Sequence, residues 1–259
     1  MLVPKLLVIG DACIDHYVYG QCLKLNPESA APLLNWQRSE QKFGMALNVK
    51  DNLVALGADV DTLVPEQLSI KTRFVDIRNG QQLLRLDQDT VVNPIEISKT
   101  QIESYDGIVV SDYNKGFVDD KLLAMLDKEA HCPVFVDTKK TDLNKYKNLI
   151  FKLNQLEYQR LISYPDNLIT TMGDRGAKFN DIEFPTESST VVDVCGAGDM
   201  FLSALSFSYI NLFRFNLPEC IKFANRASSI SIQHQGVYVL NSDDVQSLFK
   251  NHEQFFRRV

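Results

Sequence analysis

Short apolar runs recur along this chain between longer stretches of helical periodicity: KLLVIGD (5–11), GIVVSDY (107–113), CPVFVDT (132–138), NLITTMG (167–173) and TVVDVCG (190–196). Near-continuous, β-branched and too short for core helices, such runs are what strands buried on both faces require. Strands that alternate with helices become parallel neighbours, so the expected architecture is α/β: a mostly parallel sheet with helices on both faces. Two intervening segments carry helix patterns. MALNVKDNLVALG (45–57) brings Leu47, Val49, Leu53, Val54 and Leu56 near one stripe and ends on Gly57, a C-cap residue. DDKLLAMLDKEAH (119–131) starts on Asp119 or Asp120 as N-cap. With 259 residues, 45 % of them hydrophobic, and no repeat or low-complexity linker, residues 1–259 are expected to form one domain.

One segment breaks the alternation. SIKTRFVDIRNGQQLLRLDQD (69–89) reads as two strands around Asn79-Gly80, a hairpin attached to the main layer as a flap. A two-residue turn would pair Arg78 with Gln81 and leave Arg73 and Arg85 on opposite faces. A three-residue turn would put Lys71, Arg73 and Arg85 on one face. Both registers are open at this level.

Composition removes several function classes. A net charge of −6 lacks the basic surface that nucleic acid or an anionic membrane demands, so any anion site must be local. The five cysteines (Cys13, Cys22, Cys132, Cys195, Cys220) are odd in number and form no Cys-x-x-Cys pair. That pattern argues against a disulfide framework or a zinc site and fits a reducing cytosol. The amino-terminal apolar run is too short for a signal-peptide core or a bilayer span.

The join in VVDVCGAGDMFLSAL (191–205) sets a β-branched run directly against Gly196, Ala197, Gly198 and Asp199, followed by apolar residues at helical spacing. Glycines let the backbone approach a ligand, and a helix opening there presents unpaired N–H groups with a positive dipole end, so the join is an anion site. Asp199 either stabilises the first helical turn or acts as a general base on a hydroxyl while the amides of 196–199 hold charge moving onto a phosphoryl group. No G-x-x-x-x-G-K-[ST] is present, which sets aside a P-loop, and neither GAGDMF nor GDACID completes a dinucleotide fingerprint, which leaves a dehydrogenase the weakest rival.

Together these residues resemble a known family. D-V-C-G-A-G-D (193–199) looks like the C-terminal signature of the ribokinase-like (PfkB) carbohydrate kinases, and it follows T-M-G-D-R-G (171–176), similar to that family's T-x-G-x-x-G nucleotide segment. N-Q-L-E (154–157) matches the family's N-x-x-E element. GDACIDHYVYG (10–20), NPESAAPLL (26–34), SDYNKG (111–116) and VDTKKTDLNKY (136–146) resemble one branch, the D-glycero-β-D-manno-heptose 7-phosphate kinases of bacterial ADP-heptose synthesis.

The resemblance implies a ribokinase-like fold with lid segments near 12–35 and 68–90, and an ATP- and Mg²⁺-dependent transfer to O1 of a heptose 7-phosphate, the alternatives being a kinase of another sugar phosphate or nucleoside in the same family and a catalytically impaired nucleotide-binding homologue. Asp199 would be the base and Gly196, Ala197 and Gly198 the anion hole. Asp15, Asn48 and Gly44 would surround the sugar, and Asn154 and Glu157 would organise magnesium and phosphate. Thr171, Gly173, Gly176, Asn225 and Gly236 would line the nucleotide. Lys71, Arg73 and Arg85 have the charge to bind the substrate's own phosphate, and Lys115 would face the transferred one. For Asp15 and Asn48 turn or helix capping is the competing reading, and for the lysines and arginines surface charge.

Three departures stand out. Met45 occupies the second position of the family's Gly-Gly turn, Cys195 replaces the usual threonine, and the chain is short after residue 64 and between Glu157 and Thr171. Surface left bare by such deletions is expected to be covered by a second subunit, making a homodimer. A separate nucleotidyltransferase is expected for activation of the product, since no such segment follows the kinase residues.

Overall fold

The computed structural model describes residues 3–187, 189–213 and 215–256, with side chains described to residue 250. The chain begins β1 (Lys5–Gly10), β2 (Ala12–Leu25), β3 (Pro32–Met45), α1 (Ala46–Leu56), β4 (Asp59–Leu63), β5 (Ser69–Asp76) and β6 (Gln81–Gln88). It continues through α2 (Lys99–Ile102), β7 (Gly107–Asp112), α3 (Asp120–Glu129), β8 (Val134–Thr138), β9 (Leu149–Asn154), α4 (Gln155–Gln159) and β10 (Leu168–Thr171). β11 (Ala177–Phe179), β12 (Ile182–Phe184), α5 (Ala197–Phe207), α6 (Leu217–Ser231) and α7 (Ser242–Phe256) complete it.

Eight strands form the main sheet in the order β12-β11-β10-β9-β8-β7-β1-β4. β10 through β4 run parallel, and β11 and β12 close one edge antiparallel. Period-two alternation divides the core between the two faces. Leu6, Val8, Val109, Phe135 and Ile150 pack with α1, α5 and α6, while Leu7, Ile9, Ile108, Val110, Val134, Val136 and Phe151 pack with α3. α1 ends on Gly57 at φ 102°, and Asp119 caps α3 by accepting from the Leu122 N–H at 2.8 Å, as their sequences predict.

The structure corrects the sequence in three places. TVVDVCG (190–196) is not a strand: Val191, Val192 and Val194 are exposed, and the Val192 and Asp193 N–H groups bond the Ile232 carbonyl. The sheet is already closed by β11 and β12 before this run arrives, and Val191 and Val194 line a cavity instead. LIFKLN (149–154) supplies β9, which Lys152 disguised by interrupting its apolar run. The 69–89 hairpin turns through the four residues 77–80, neither two nor three, with Asp76 opposite Gln81 and a bulge at Phe74/Val75. Arg73 thus stands directly opposite Arg85, a like-charge pair tolerated because each has its own carboxylate partner.

That hairpin is half of a separate four-stranded sheet, β3-β2-β5-β6, in which β2 pairs parallel to β5. One face carries Asp15, Tyr17, Lys71 and Arg73 toward the carboxyl ends of the main strands. α1 starts directly from β3: the Ala46 N–H donates to the Asp11 carbonyl at 3.0 Å, and Met45 bends the chain with φ 59°, ψ −131°. Glycine is the residue suited to that backbone, and Met45 holds it with its side chain buried.

Candidate active site

The N-terminus of α5 meets the carboxyl ends of β7, β8 and β9, where α/β sheets place their ligands. Asp193 shapes the approach: its carboxylate accepts from the Cys195 N–H and the Gly236 N–H, both at 2.9 Å. Gly196 then takes φ 78° and α5 opens with no side-chain cap, the Ala197 N–H turning back to the Val194 carbonyl at 3.2 Å. A Cβ at Gly198 would stand 2.9 Å from the Lys152 ammonium, so a side chain there would push that lysine aside. Beneath Gly198, Lys152 and Asp137, both buried, form an ion pair at 2.6 Å, and the second Asp137 oxygen has no partner.

Asp199 lies in the first turn of α5 and is 4 % exposed. Its Oδ2 accepts from the Asn48 amide and its Oδ1 from the Tyr113 hydroxyl, each at 3.1 Å. Burial pushes its carboxyl up to about 6; Asp137 adds to the rise, and Asn48, Lys152 and Tyr113 oppose it. A buried carboxyl that titrates near neutrality, beside a helix N-terminus, suits a general base.

The start of α5 divides two compartments. On one side Ala197, Gly198 and Phe201 line a cavity of about 400 Å³ together with Thr171, Gly173, Gly176 and Asn225. Val191 and Val194 form an apolar wall of that cavity. Gly236 is placed elsewhere: it packs on the Tyr17 ring and bonds Asp193. Asp199 faces the other side, toward Asn48 and the four-stranded sheet.

There the cations are mostly committed. Arg73 donates to Asp15 at 2.7 Å and its guanidinium lies 3.6 Å from the Cys195 sulfur. Arg85 pairs with Asp87, and Lys115 with Asp89. Lys71 is in no ion pair among those of the described residues; its ammonium stands 5.4 Å from the Tyr113 ring centroid. Asn48 is fully buried, with its amide on Asp199 and its carbonyl oxygen accepting from Asn52. Gly44 is glycine because a Cβ would stand 2.2 Å from Asp15 Oδ2 and 2.8 Å from Cys13 Sγ. Gly44→Ala is therefore expected to displace Asp15 and raise the acceptor KM about tenfold, a cost of about 1–2 kcal/mol, with KM for the nucleotide little changed; initial-rate kinetics check it.

Asn154 and Glu157 satisfy each other in a capping box: the Glu157 N–H donates to Asn154 Oδ1 at 2.9 Å and the Asn154 N–H to Glu157 Oε2 at 2.8 Å. The other Glu157 oxygen is bonded by Lys139. Residues that the sequence did not single out complete the site. Tyr113, Asp137 and Lys152 lie inside motifs or strands already noted, but their partners are 86 and 15 positions away, so no local pattern marks them.

Solved structures share this fold. A ribokinase from Arabidopsis thaliana complexed with ribose and ATP superposes with a TM-score of 0.70 at 17 % identity, covering 96 % of this chain and 99 % of that one. Phosphofructokinase-2 from Escherichia coli, in complex with potassium, gives 0.70 at 17 % over 97 % and 99 %. In sequence the chain is 27 % identical over 300 residues to the bifunctional protein HldE of a Nitratiruptor species, matching 94 % of this chain and 64 % of that one. HldE of Helicobacter acinonychis is 27 % identical over 307 residues, with 93 % and 65 % covered, so the chain spans about two-thirds of these relatives. The model of the pfkB family carbohydrate kinases matches residues 71–244, and with the glycine-flanked aspartate and its adjoining cavity in place this chain belongs to that family of phosphotransferases.

Proposed function

We propose that the protein transfers the γ-phosphoryl group of ATP to O1 of D-glycero-D-manno-heptose 7-phosphate. The observation that carries this reading is the position of Asp199, buried at the helix start between the cavity and the four-stranded sheet. The likeness to HldE along nearly the whole chain supports the acceptor class.

ATP would lie in the cavity with its triphosphate against the Gly196, Ala197 and Gly198 amides. Asp199 would take the proton of the acceptor hydroxyl, and the amides would hold the charge of the phosphoryl group in flight. Asp15, oriented by Arg73, and Asn48 would bind sugar hydroxyls. Lys71 is the lid cation with the freedom to meet a phosphate; Arg73, Arg85 and Lys115 would have to leave carboxylates first.

Among the described residues no cluster of three or more metal-ligating side chains exists. Magnesium commonly rides on nucleotide phosphates with one or two carboxylates, and at the end of β9 Glu157, beside Asn154, would take that limited role on release from Lys139. Bound there, the ion would neutralise charge on the phosphates.

The test is ADP release from MgATP with the heptose phosphate beside fructose and ribose phosphates. Turnover confined to the heptose phosphate is expected; preference for another phosphorylated sugar would move the acceptor within the family. Because only the ionised base works, kcat/KM should fall about tenfold per pH unit below about 6 and level off above it.

The protein would act as a homodimer. Phe43, Leu84 and Leu86, exposed, lie on the outer face of the four-stranded sheet, opposite Asp15 and Arg73 by register. A second copy would bury this face. Leu84→Asp with Leu86→Asp is expected to yield a monomer in sedimentation velocity, against a dimer for the unaltered chain. A nucleotidyltransferase would then act on the product, a reading that the bifunctional name of HldE supports. Among the described residues no helix is long and apolar enough to cross a membrane. The five free cysteines fit action in the reducing cytosol.

A further inference from the structure

The loop after β7, within SDYNKG, is pinned by two carboxylates. Asp11 accepts from the backbone N–H groups of Tyr113 at 2.8 Å and Lys115 at 3.2 Å, and Asp112 accepts from that of Asn114 at 2.8 Å. Asn114 takes φ 57°, a left-handed conformation that asparagine tolerates. The loop so held brings the Tyr113 hydroxyl onto Asp199 Oδ1, while the Asn48 amide occupies Oδ2 from α1. Two ammonium groups flank the same ring: Lys71 from the four-stranded sheet at 5.4 Å and Lys139 from the loop after β8 at 5.0 Å.

Carboxylate rotation about its terminal torsion is soft, so a single donor leaves the plane of the group free. Two donors on different oxygens fix it. We propose that Tyr113 is a positioning residue for phosphoryl transfer: its O–H, opposite the Asn48 amide, sets the plane of the Asp199 carboxylate and holds it as the anion that accepts the acceptor's proton. This rests on the kinase reading above, with Asp199 as base. Tyr113 keeps its own proton throughout, because burial and the charges of Asp199 and Asp137 push its phenol well up. Through its ring it also ties the base to Lys71 of the lid.

Several groups act on Asp199 from the elements packed around it. Asn48 of α1, Tyr113 and Lys152 of β9 favour its anion, as does the charge of Lys139 after β8; Asp137 of β8 and any charge on Cys13 of β2 oppose it. Removal of the Tyr113 hydroxyl alone must therefore raise the Asp199 midpoint.

The experiment is an NMR titration of the protein labelled with ¹³Cγ aspartate, the Asp199 resonance being identified by its loss in Asp199→Asn. Tyr113→Phe keeps the ring and both cation contacts and removes only the donor. The midpoint is expected to rise by about half to one pH unit. Site-specific 3-fluorotyrosine at position 113, a stronger donor, is expected to lower it. With MgATP and the heptose phosphate, the acid limb of kcat/KM in Tyr113→Phe should follow the NMR midpoint, kcat on its high-pH plateau should fall about tenfold and KM for ATP should stay within about twofold. A midpoint unmoved in both variants overturns the proposal, as does a loss of rate equal at every pH. If the unaltered chain turns over no acceptor, the kinase reading fails by itself, and the midpoint still decides whether Tyr113 governs the carboxylate.

Discussion

Asp199→Asn is expected to cut turnover by about 100- to 10,000-fold without unfolding the protein, the range that a positioned general base contributes. The sign of its stability effect separates lost chemistry from lost structure. The folded carboxyl is raised from 3.8 to about 6, so its contribution to stability is complete below pH 4 and is lost as pH rises through 6. At pH 8 the buried anion then costs on the order of 3 kcal/mol, which the uncharged amide does not carry. Melting of the variant at pH 8 is therefore expected at or above that of the unaltered chain, with the difference shrinking toward pH 4. On the proposed mechanism the site keeps a destabilising charge because the reaction needs it, the usual conflict between stability and activity. Turnover near the unaltered level would reject Asp199 as the base.

Lys152→Met should be the most destabilising single change near the site. It leaves Asp137 buried, without its cation, below the first turn of α5. Breaking a buried pair in this way costs about 3–5 kcal/mol, which denaturant unfolding measures directly. Adding Asp137→Leu removes the stranded charge and is expected to recover most of that loss, since an apolar pair of similar volume is often as stable as the ion pair. Activity should separate from stability here too. Loss of Lys152 alone raises the Asp199 carboxyl further, moving the acid limb of kcat/KM upward. Recovery of stability without recovery of activity would mark Lys152 as part of the anion site, whereas recovery of both would make the pair purely structural.

The fold was legible where the pattern is local. A strand buried on both faces announces itself by a continuous apolar run, and β1, β7, β8 and β10 do so. The helix that opens at Gly196 is equally local, because the glycines and the aspartate sit within four consecutive positions. Asp199 could be proposed from those residues alone. The β-branched run before it misled, since exposed cavity-lining valines and buried strand valines look alike in sequence.

What only the tertiary structure decided is the assignment of partners. Arg73 has the chemistry of a phosphate ligand, yet it is spent on Asp15, 58 positions away. The hydrogen bond that holds Asp199 spans 151 positions to Asn48, and Lys152 is tolerable inside β9 only because β8 brings Asp137 beside it. The sequence by itself determined the buried strands β1, β7, β8 and β10, the helices α1 and α3 and the place where a helix N-terminus meets a carboxylate, since backbone preference and periodicity act over a few residues. It could not determine which charge is neutralised and which is left to bind a ligand. That depends on distance and burial, and packing sets both.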